Sequence, residues 1–309
     1  MKAERHWTKR DTLRVAAALA ASPIPSPIPS WAEGTAMLTR PIPKSAETLP
    51  VIGLGTYNVF DVESTEDELA PRRAIIELMI EKGASLIDSS PMYNRSEKVV
   101  GDIVSQGDLR SKLFLATKVW TDGKASGERQ MQASADLMHA GVIDLMQVHN
   151  LRDLDVQMQT IREWQQQGRI RYNGITDYRA SALDELEAAM HKHRPQFIQI
   201  NYSLGEAEAE RRVLPLAKDL GIAVLVNRPF MAGSLFRAVR GRSLPDWATH
   251  FAASWGQFFL KFIVSHTSVT VAIPATSNLQ HMTDNLGAGF GEIPDAAMRQ
   301  RMADFFASL

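Results

Sequence analysis

Leu86-Ile-Asp-Ser-Ser-Pro-Met-Tyr-Asn-Arg-Ser-Glu97 joins a short apolar run to an amphipathic stretch through a polar, proline-bearing turn. A run of that length, followed by a segment with helical apolar spacing, reads as strand then helix. The same order recurs downstream. Phe114-Leu-Ala-Thr-Lys118 ends in a lysine and Leu145-Met-Gln-Val-His149 in a histidine. Three successive strand-like runs thus deliver Asp88, Tyr93, Lys118 and His149 at or just past their C-terminal ends. In a parallel barrel those ends share one face, where catalytic groups collect.

Working outward, apolar runs fall at 51–54, 85–88, 112–116, 144–148, 172–175, 197–200, 223–226 and 269–273. Helix-like stretches lie between them at 66–81, 96–104, 126–140, 155–167, 181–191, 206–220 and 249–264. In the first of these, Leu69, Ile75, Ile76, Met79 and Ile80 carry the helical spacing. Gly83, Gly141, Gly168 and Gly221 stand where helix C-caps want glycine. Strict alternation of strand and helix implies right-handed crossovers and a parallel sheet. An open doubly wound sheet is the competitor. Eight strands, nearly all followed by polar residues, favour closure into a (β/α)8 TIM barrel over residues 48–309, with an extra C-terminal helix at 295–309.

The bulk properties narrow the function. The chain has 309 residues and a net charge of −1, so it carries no long-range field for nucleic acid or an anionic membrane. It has no cysteine, which removes disulfides, thiolate nucleophiles and Cys-type metal centres. The eight histidines form no strand-end ligand set, so no metal site is expected. Residues 1–32 differ from the rest: a basic start, the apolar stretch 15–21, then a proline-rich exit ending Ser30-Trp31-Ala32. Those are the parts of a bacterial export signal, too short to span a bilayer. Lys9-Arg10 resembles a weakened twin-arginine pair, which points to the periplasm. The competing reading is a disordered extension on a cytoplasmic protein. Residues 33–47 read as a linker.

The four polar residues have a chemistry in common. A tyrosine with its ordinary pKa near 10 is a poor acid at neutral pH. A neighbouring ammonium, here Lys118, is expected to lower it into range for general acid work. Asp88 would hold that ammonium charged and in place, and His149 would orient the oxygen to be protonated. Such a set polarises and protonates a carbonyl while a hydride arrives from elsewhere. Each residue alone reads as an ordinary strand-end polar group; four across three consecutive strands do not.

From about Thr48 onward the chain resembles the aldo-keto reductases. The matching motifs are Gly53-Leu-Gly-Thr56; Ile87-Asp-Ser-Ser-Pro-Met-Tyr93 with Glu97 and Gly101; Ala116-Thr-Lys-Val119; Val148-His149; Gly174-Ile-Thr-Asp177; Gln199 with Asn201-Tyr-Ser203; and Ile273-Pro-Ala-Thr-Ser-Asn278 with Asn285. The resemblance implies that Asp88, Tyr93, Lys118 and His149 are catalytic. It also implies an NADPH cofactor lying across the barrel mouth, with NADH as the alternative.

No Gly-x-Gly-x-x-Gly follows a strand, so a Rossmann site is not indicated. The resemblance assigns the cofactor instead to Gly55, Thr56, Thr176, Asp177, Gln199, Asn227, Arg228, Pro229, Phe230, Thr276, Ser277, His281 and Asn285. Three departures stand out. Thr176 and Asp177 replace the usual Ser and Asn, and an ionised Asp can only accept hydrogen bonds. Asn227 stands where an aromatic usually stacks on the nicotinamide. Arg228 would compensate at the pyrophosphate, its alternative role being a surface salt bridge. Thr276 and Ser277, with free N–H groups at the following helix start, would receive the 2′-phosphate, but Ala275 and His281 replace the usual Lys and Arg.

By the same resemblance Tyr57, Trp120 and Asn150 line a pocket for a small aldehyde or ketone, whereas Phe60 reads as core. The competing function is a non-catalytic nicotinamide-binding sensor or partner-binding module on the same barrel, motivated by the lost aromatic and the altered phosphate site.

Overall fold

The computed structural model describes residues 36–309; the segment read as an export signal, 1–32, lies outside them. The described chain opens with an antiparallel hairpin, β1 (Thr39–Pro41) and β2 (Thr48–Pro50). Residues 33–47, read as a linker, therefore contain a strand. Pro41-Ile-Pro43 carries the composition of a linker, but a two-stranded hairpin has only edges, where proline is tolerated. Ile42 and Leu49 are buried with Leu86, Phe114, Tyr172 and Phe197, and Ser45 Oγ lies 2.8 Å from Tyr172 Oη. Phe114 and Phe197 start their strands, so the hairpin plugs the N-terminal end of the barrel and leaves the other end for the site.

The eight runs become β3 (Leu54–Gly55), β4 (Leu86–Asp88), β5 (Phe114–Val119), β6 (Ile143–His149), β7 (Ile170–Asp177), β8 (Phe197–Asn201), β9 (Ala223–Asn227) and β10 (Val271–Ala272). They pair in sequence order, each with its neighbour in parallel. The seam is closed too. Parallel bridges join Ile52 to Ala272 and Gly55 to Ala275, and Gly53 N–H donates to Ala272 O at 2.9 Å. A bridged seam excludes the open sheet. A Cβ on Gly53 would lie 2.8 Å from Leu86 O, and one on Gly55 2.9 Å from Ile273 O. Only glycine lets the strands meet there.

Around the sheet lie α1 (Glu66–Glu81), α2 (Ser96–Val104), α3 (Lys124–Leu137), α4 (Leu154–Gln166), α5 (Leu183–His193), α6 (Val213–Leu220), α7 (Ser234–Ala238), α8 (Trp255–Val264), α9 (Leu279–Gly287) and α10 (Ala296–Ala307). The stretch 249–264 becomes helix only at Trp255, because Ser254 accepts the Gln257 N–H as its N-cap. Phe60 is fully buried in the shell between sheet and helices. Glu97, on α2, accepts the Thr117 hydroxyl at 2.5 Å and so ties that helix to β5.

Strand alternation sends 86, 114, 116, 145, 172, 197, 223, 225, 271 and 273 to the barrel interior. The same parity carries Asp88, Lys118, Gln147, His149, Thr176, Gln199, Asn201 and Asn227 inward at the C-terminal end. Aromatic packing of Phe114, Tyr172 and Phe197, with centroids 5.5–6.1 Å apart, fills the layer below. The polar layer thus rests on a rigid floor.

Gly101 marks where α2 meets α3. A Cβ there would lie 1.8 Å from Leu137 O, a backbone atom that cannot swing aside. Gly101→Ala is expected to destabilise the barrel by about 3 kcal/mol, the upper end of overpacking costs, read as an earlier midpoint in urea unfolding.

Candidate active site

The structure brings the four strand-end residues together. Lys118 Nζ donates to Asp88 Oδ2 at 2.6 Å and to Ser89 O at 2.7 Å, and it is fully buried. It lies 5.0 Å from the centroid of the Tyr93 ring. His149 meets the same ring edge-on at 6.3 Å between centroids, and Tyr57 packs edge-on at 5.0 Å. Asp88 is held on its second oxygen by two amides, Gln199 Nε2 at 2.8 Å and Gln147 Nε2 at 3.1 Å. Three donors on one buried carboxylate compensate its desolvation.

Gln147 and Ser90 belong to this site, although neither was singled out in the sequence. Gln147 had a signal: it is a polar residue at the strand parity of His149, two positions earlier. Ser90 had none beyond its place in the turn. Ser90 Oγ accepts the Met92 N–H at 3.2 Å and lies 3.3 Å from His149 Nδ1. A hydroxyl oxygen keeps a second lone pair after accepting from Met92, so this contact serves either neutral tautomer of the ring.

Burial governs the electrostatics. The Tyr93 phenol is pushed above its ordinary pKa by burial, and the Lys118 ammonium opposes this without cancelling it. This corrects the expected lowering: a phenolate would need water that the packed ring lacks. Lys118 is pulled down by burial, but the Asp88 carboxylate and then Tyr93 raise it further, so the ammonium stays charged. Burial, then the charge of Lys118, lowers His149 to about 3, with Asp177 opposing. The site thus sets a neutral phenol and a neutral imidazole against a fixed cation.

The depressed His149 value has a stability consequence. An unfolded imidazole takes up a proton near pH 6.5, the folded one only near 3. This contribution to stability is complete above about pH 6.5 and is lost as pH falls toward 3. Melting curves of wild type and His149→Phe are expected to diverge in slope across that window, with the variant flatter.

The family model for the aldo/keto reductase family matches residues 51–301. The chain belongs to the aldo/keto reductase family. Among its relatives, methylglyoxal reductase YeaE of Escherichia coli (strain K12) is 29% identical over 248 residues, covering 77% of this chain and 84% of that protein. Two solved structures share the fold. An aldo/keto reductase from Klebsiella pneumoniae in complex with NADP and acetate superposes with a TM-score of 0.71 at 22% identity, covering 84% of this chain and 92% of that one. The holo form of aldo-keto reductase AKR11C1 from Bacillus halodurans gives 0.70 at 22% identity, covering 87% and 96%.

In this aldo/keto reductase the positions assigned to a nicotinamide cofactor divide into a well-suited end and a poorly charged end. At the barrel mouth, Asn150 Oδ1, Asn201 Oδ1 and Asn227 Oδ1 are buried without a partner among the described residues. Acceptors in that condition fit a ligand that brings N–H donors. Thr176 Oγ1 leans to Gln199 Oε1 at 3.5 Å, and Asp177 is clasped by Arg179 through Nε at 3.0 Å and a terminal nitrogen at 2.7 Å. Thr56 is buried and donates to Asp88 O and Ser89 Oγ, each at 3.0 Å.

Arg228 is exposed and has no carboxylate within salt-bridge distance among the described residues, which removes its surface salt bridge; it lies over the Tyr178 ring at 5.6 Å. Pro229 is buried, and Phe230 packs on Phe236 at 4.9 Å.

The helix start near Asn278 departs from expectation. Three of its N–H groups are already taken: Asn278 Oδ1 accepts from Gln280 and His281, and Thr276 Oγ1 accepts from Asn278. The cap is the sequence's own Asn, which competes for the donors a phosphate would use. Ser277 and His281 are exposed, Asn285 is buried on α9, and residues 275–281 hold no Lys or Arg. At the rim Tyr57 is 57% exposed. Trp120 is half-buried under the Arg152 guanidinium at 4.6 Å. Asn150 sits at φ 52°, left-handed backbone beside His149.

Among the described residues no group of His, Asp and Glu is arranged to hold a metal ion, and no helix is long and apolar enough to cross a membrane.

Proposed function

We propose that the protein is a nicotinamide-dependent reductase of small aldehydes and ketones, with Tyr93 as the general acid. The observation that carries this reading is the fully buried Lys118–Asp88 pair set against the ring of a protonated Tyr93. A bound nicotinamide supplies the hydride. The chain's own residues do the rest. His149, neutral, donates to the carbonyl oxygen and aims it at the phenol. Tyr93 gives up its proton as negative charge builds on that oxygen. Lys118 stabilises the phenolate left behind, an effect that matters only as the charge develops, which is where catalysis gains most. Asp88, fixed by Gln147 and Gln199, keeps the ammonium in place.

NADP is the cofactor this reading favours, in line with the NADP named for the Klebsiella pneumoniae relative. With no Lys or Arg in 275–281, NADH should be accepted at a small penalty. The aromatic rim of Tyr57 and Trp120 suits an uncharged carbonyl compound flanked by apolar surface, and the Escherichia coli relative's name adds 2-oxoaldehydes to the candidates. Residues 1–32 have the make-up of an export signal, so we place the mature enzyme in the periplasm; mass spectrometry of the secreted N-terminus tests this.

The test of the reaction is NADPH and NADH consumption by the purified protein against aliphatic and aromatic aldehydes, 2-oxoaldehydes, ketones and quinones. Turnover of a carbonyl substrate supports the reading. Tight nucleotide binding with no turnover across the panel would replace it with a binding module.

A further inference from the structure

A carboxylate only accepts, so an amide beside one must present its N–H2 and turn its carbonyl elsewhere. Two carboxylates impose that orientation on the barrel mouth. Asp88 takes Gln199 Nε2, which leaves Gln199 Oε1 to receive Asn227 Nδ2 at 3.3 Å. Asn227 is then left offering Oδ1. Glu206 Oε2 takes Asn201 Nδ2 at 3.1 Å, so Asn201 also offers Oδ1. Asn201 and Asn227 are register partners at the ends of β8 and β9. Both oxygens are buried without a partner among the described residues, and Asn201 is only 4% exposed.

Two neighbouring acceptors of this kind call for a donor carrying two N–H bonds, either a primary amide or an ammonium. The nearby carboxylates do not favour a cation. Asp88 is neutralised by Lys118, Asp177 is clasped by Arg179, and Glu206 already accepts from Asn201. An uncharged primary amide fits best. The β7 residues have no such opening: Thr176 faces Gln199 Oε1, and both carboxylate oxygens of Asp177 already accept from Arg179.

We infer that Asn201 and Asn227 receive the carboxamide N–H2 of the nicotinamide ring, so that recognition of this group sits on β8 and β9. This rests on the nicotinamide-dependent reading and deepens it. The relay Asn227–Gln199–Asp88–Lys118 then joins the occupied ring to the charged pair beside Tyr93.

The test compares NADP+ with its 3-acetylpyridine analogue, which replaces the amide N–H2 by a methyl group. Dissociation constants are measured by quenching of tryptophan fluorescence in the full chain. Asn227→Leu and Asn201→Leu are each expected to weaken NADP+ about tenfold while changing the analogue about twofold at most, as the loss of one buried donor–acceptor contact requires. Melting temperatures check folding, and Asn227→Ala, which only truncates, serves if a leucine variant does not fold. Equal weakening of both nucleotides, or no weakening of NADP+, overturns the inference and leaves the reductase reading intact. Failure of the wild type to bind either nucleotide overturns that reading as well.

Discussion

Tyr93→Phe is expected to lower kcat/KM for a small aldehyde about 10³-fold, within the roughly 10²–10⁴-fold range of a positioned general acid. That corresponds to about 4 kcal/mol of transition-state stabilisation. The substitution removes one oxygen and keeps the ring, so the edge contacts to Tyr57 at 5.0 Å and His149 at 6.3 Å survive. Cofactor affinity should therefore change about twofold at most, and the loss should fall on kcat. The melting temperature should hold or rise, since a buried hydroxyl with a raised pKa is being removed. Steady-state kinetics beside a nucleotide titration checks all three. Retained turnover would move the proton-donor role away from Tyr93, with His149 the next candidate.

Lys118→Met should damage both activity and stability. The ammonium is the cation of a fully buried pair, with contacts of 2.6 Å to Asp88 and 2.7 Å to Ser89 O. Without it Asp88 stays buried with only the two amides as donors. Breaking a buried pair from one side costs about 3–5 kcal/mol. Turnover should fall below detection, because burial alone then sets the Tyr93 proton and nothing stabilises the phenolate. The double variant Lys118→Met/Asp88→Leu removes both charges and should recover much of the stability while remaining inactive. Urea unfolding of wild type, single and double variants separates the effects. If the single and double variants prove equally stable, the uncompensated carboxylate is not the source of the loss.

Much of the site was legible because β-barrel chemistry gathers at strand ends. Asp88, Lys118 and His149 each end an apolar run, and period-2 alternation turns them to the same interior. Gln147 could have been read by the same parity. The sign of the Tyr93 shift could not. Spacing shows that Lys118 approaches Tyr93, but whether its charge outweighs burial depends on how closely the ring is packed. The phosphate end differs for a similar reason: Thr276, Ser277 and the N–H groups of the following helix start read as a phosphate site in sequence, but the folded turn uses Thr276 and Asn278 to cap α9. A short polar side chain satisfies its own backbone before it meets a ligand.

The amino-acid sequence by itself determined the eight alternating units and the placing of Asp88, Tyr93, Lys118 and His149 at one end. These follow from periodicity and local turn chemistry, which act over a few residues. Only the tertiary structure decided the closure of the barrel seam, the hairpin plug, the hold of Gln147 and Gln199 on Asp88, the Ser90 contact with His149, and the unpaired oxygens of Asn201 and Asn227. Each joins groups distant in the chain. Their contact depends on strand register and on which carboxylate orients which amide, and sequence spacing alone does not specify either.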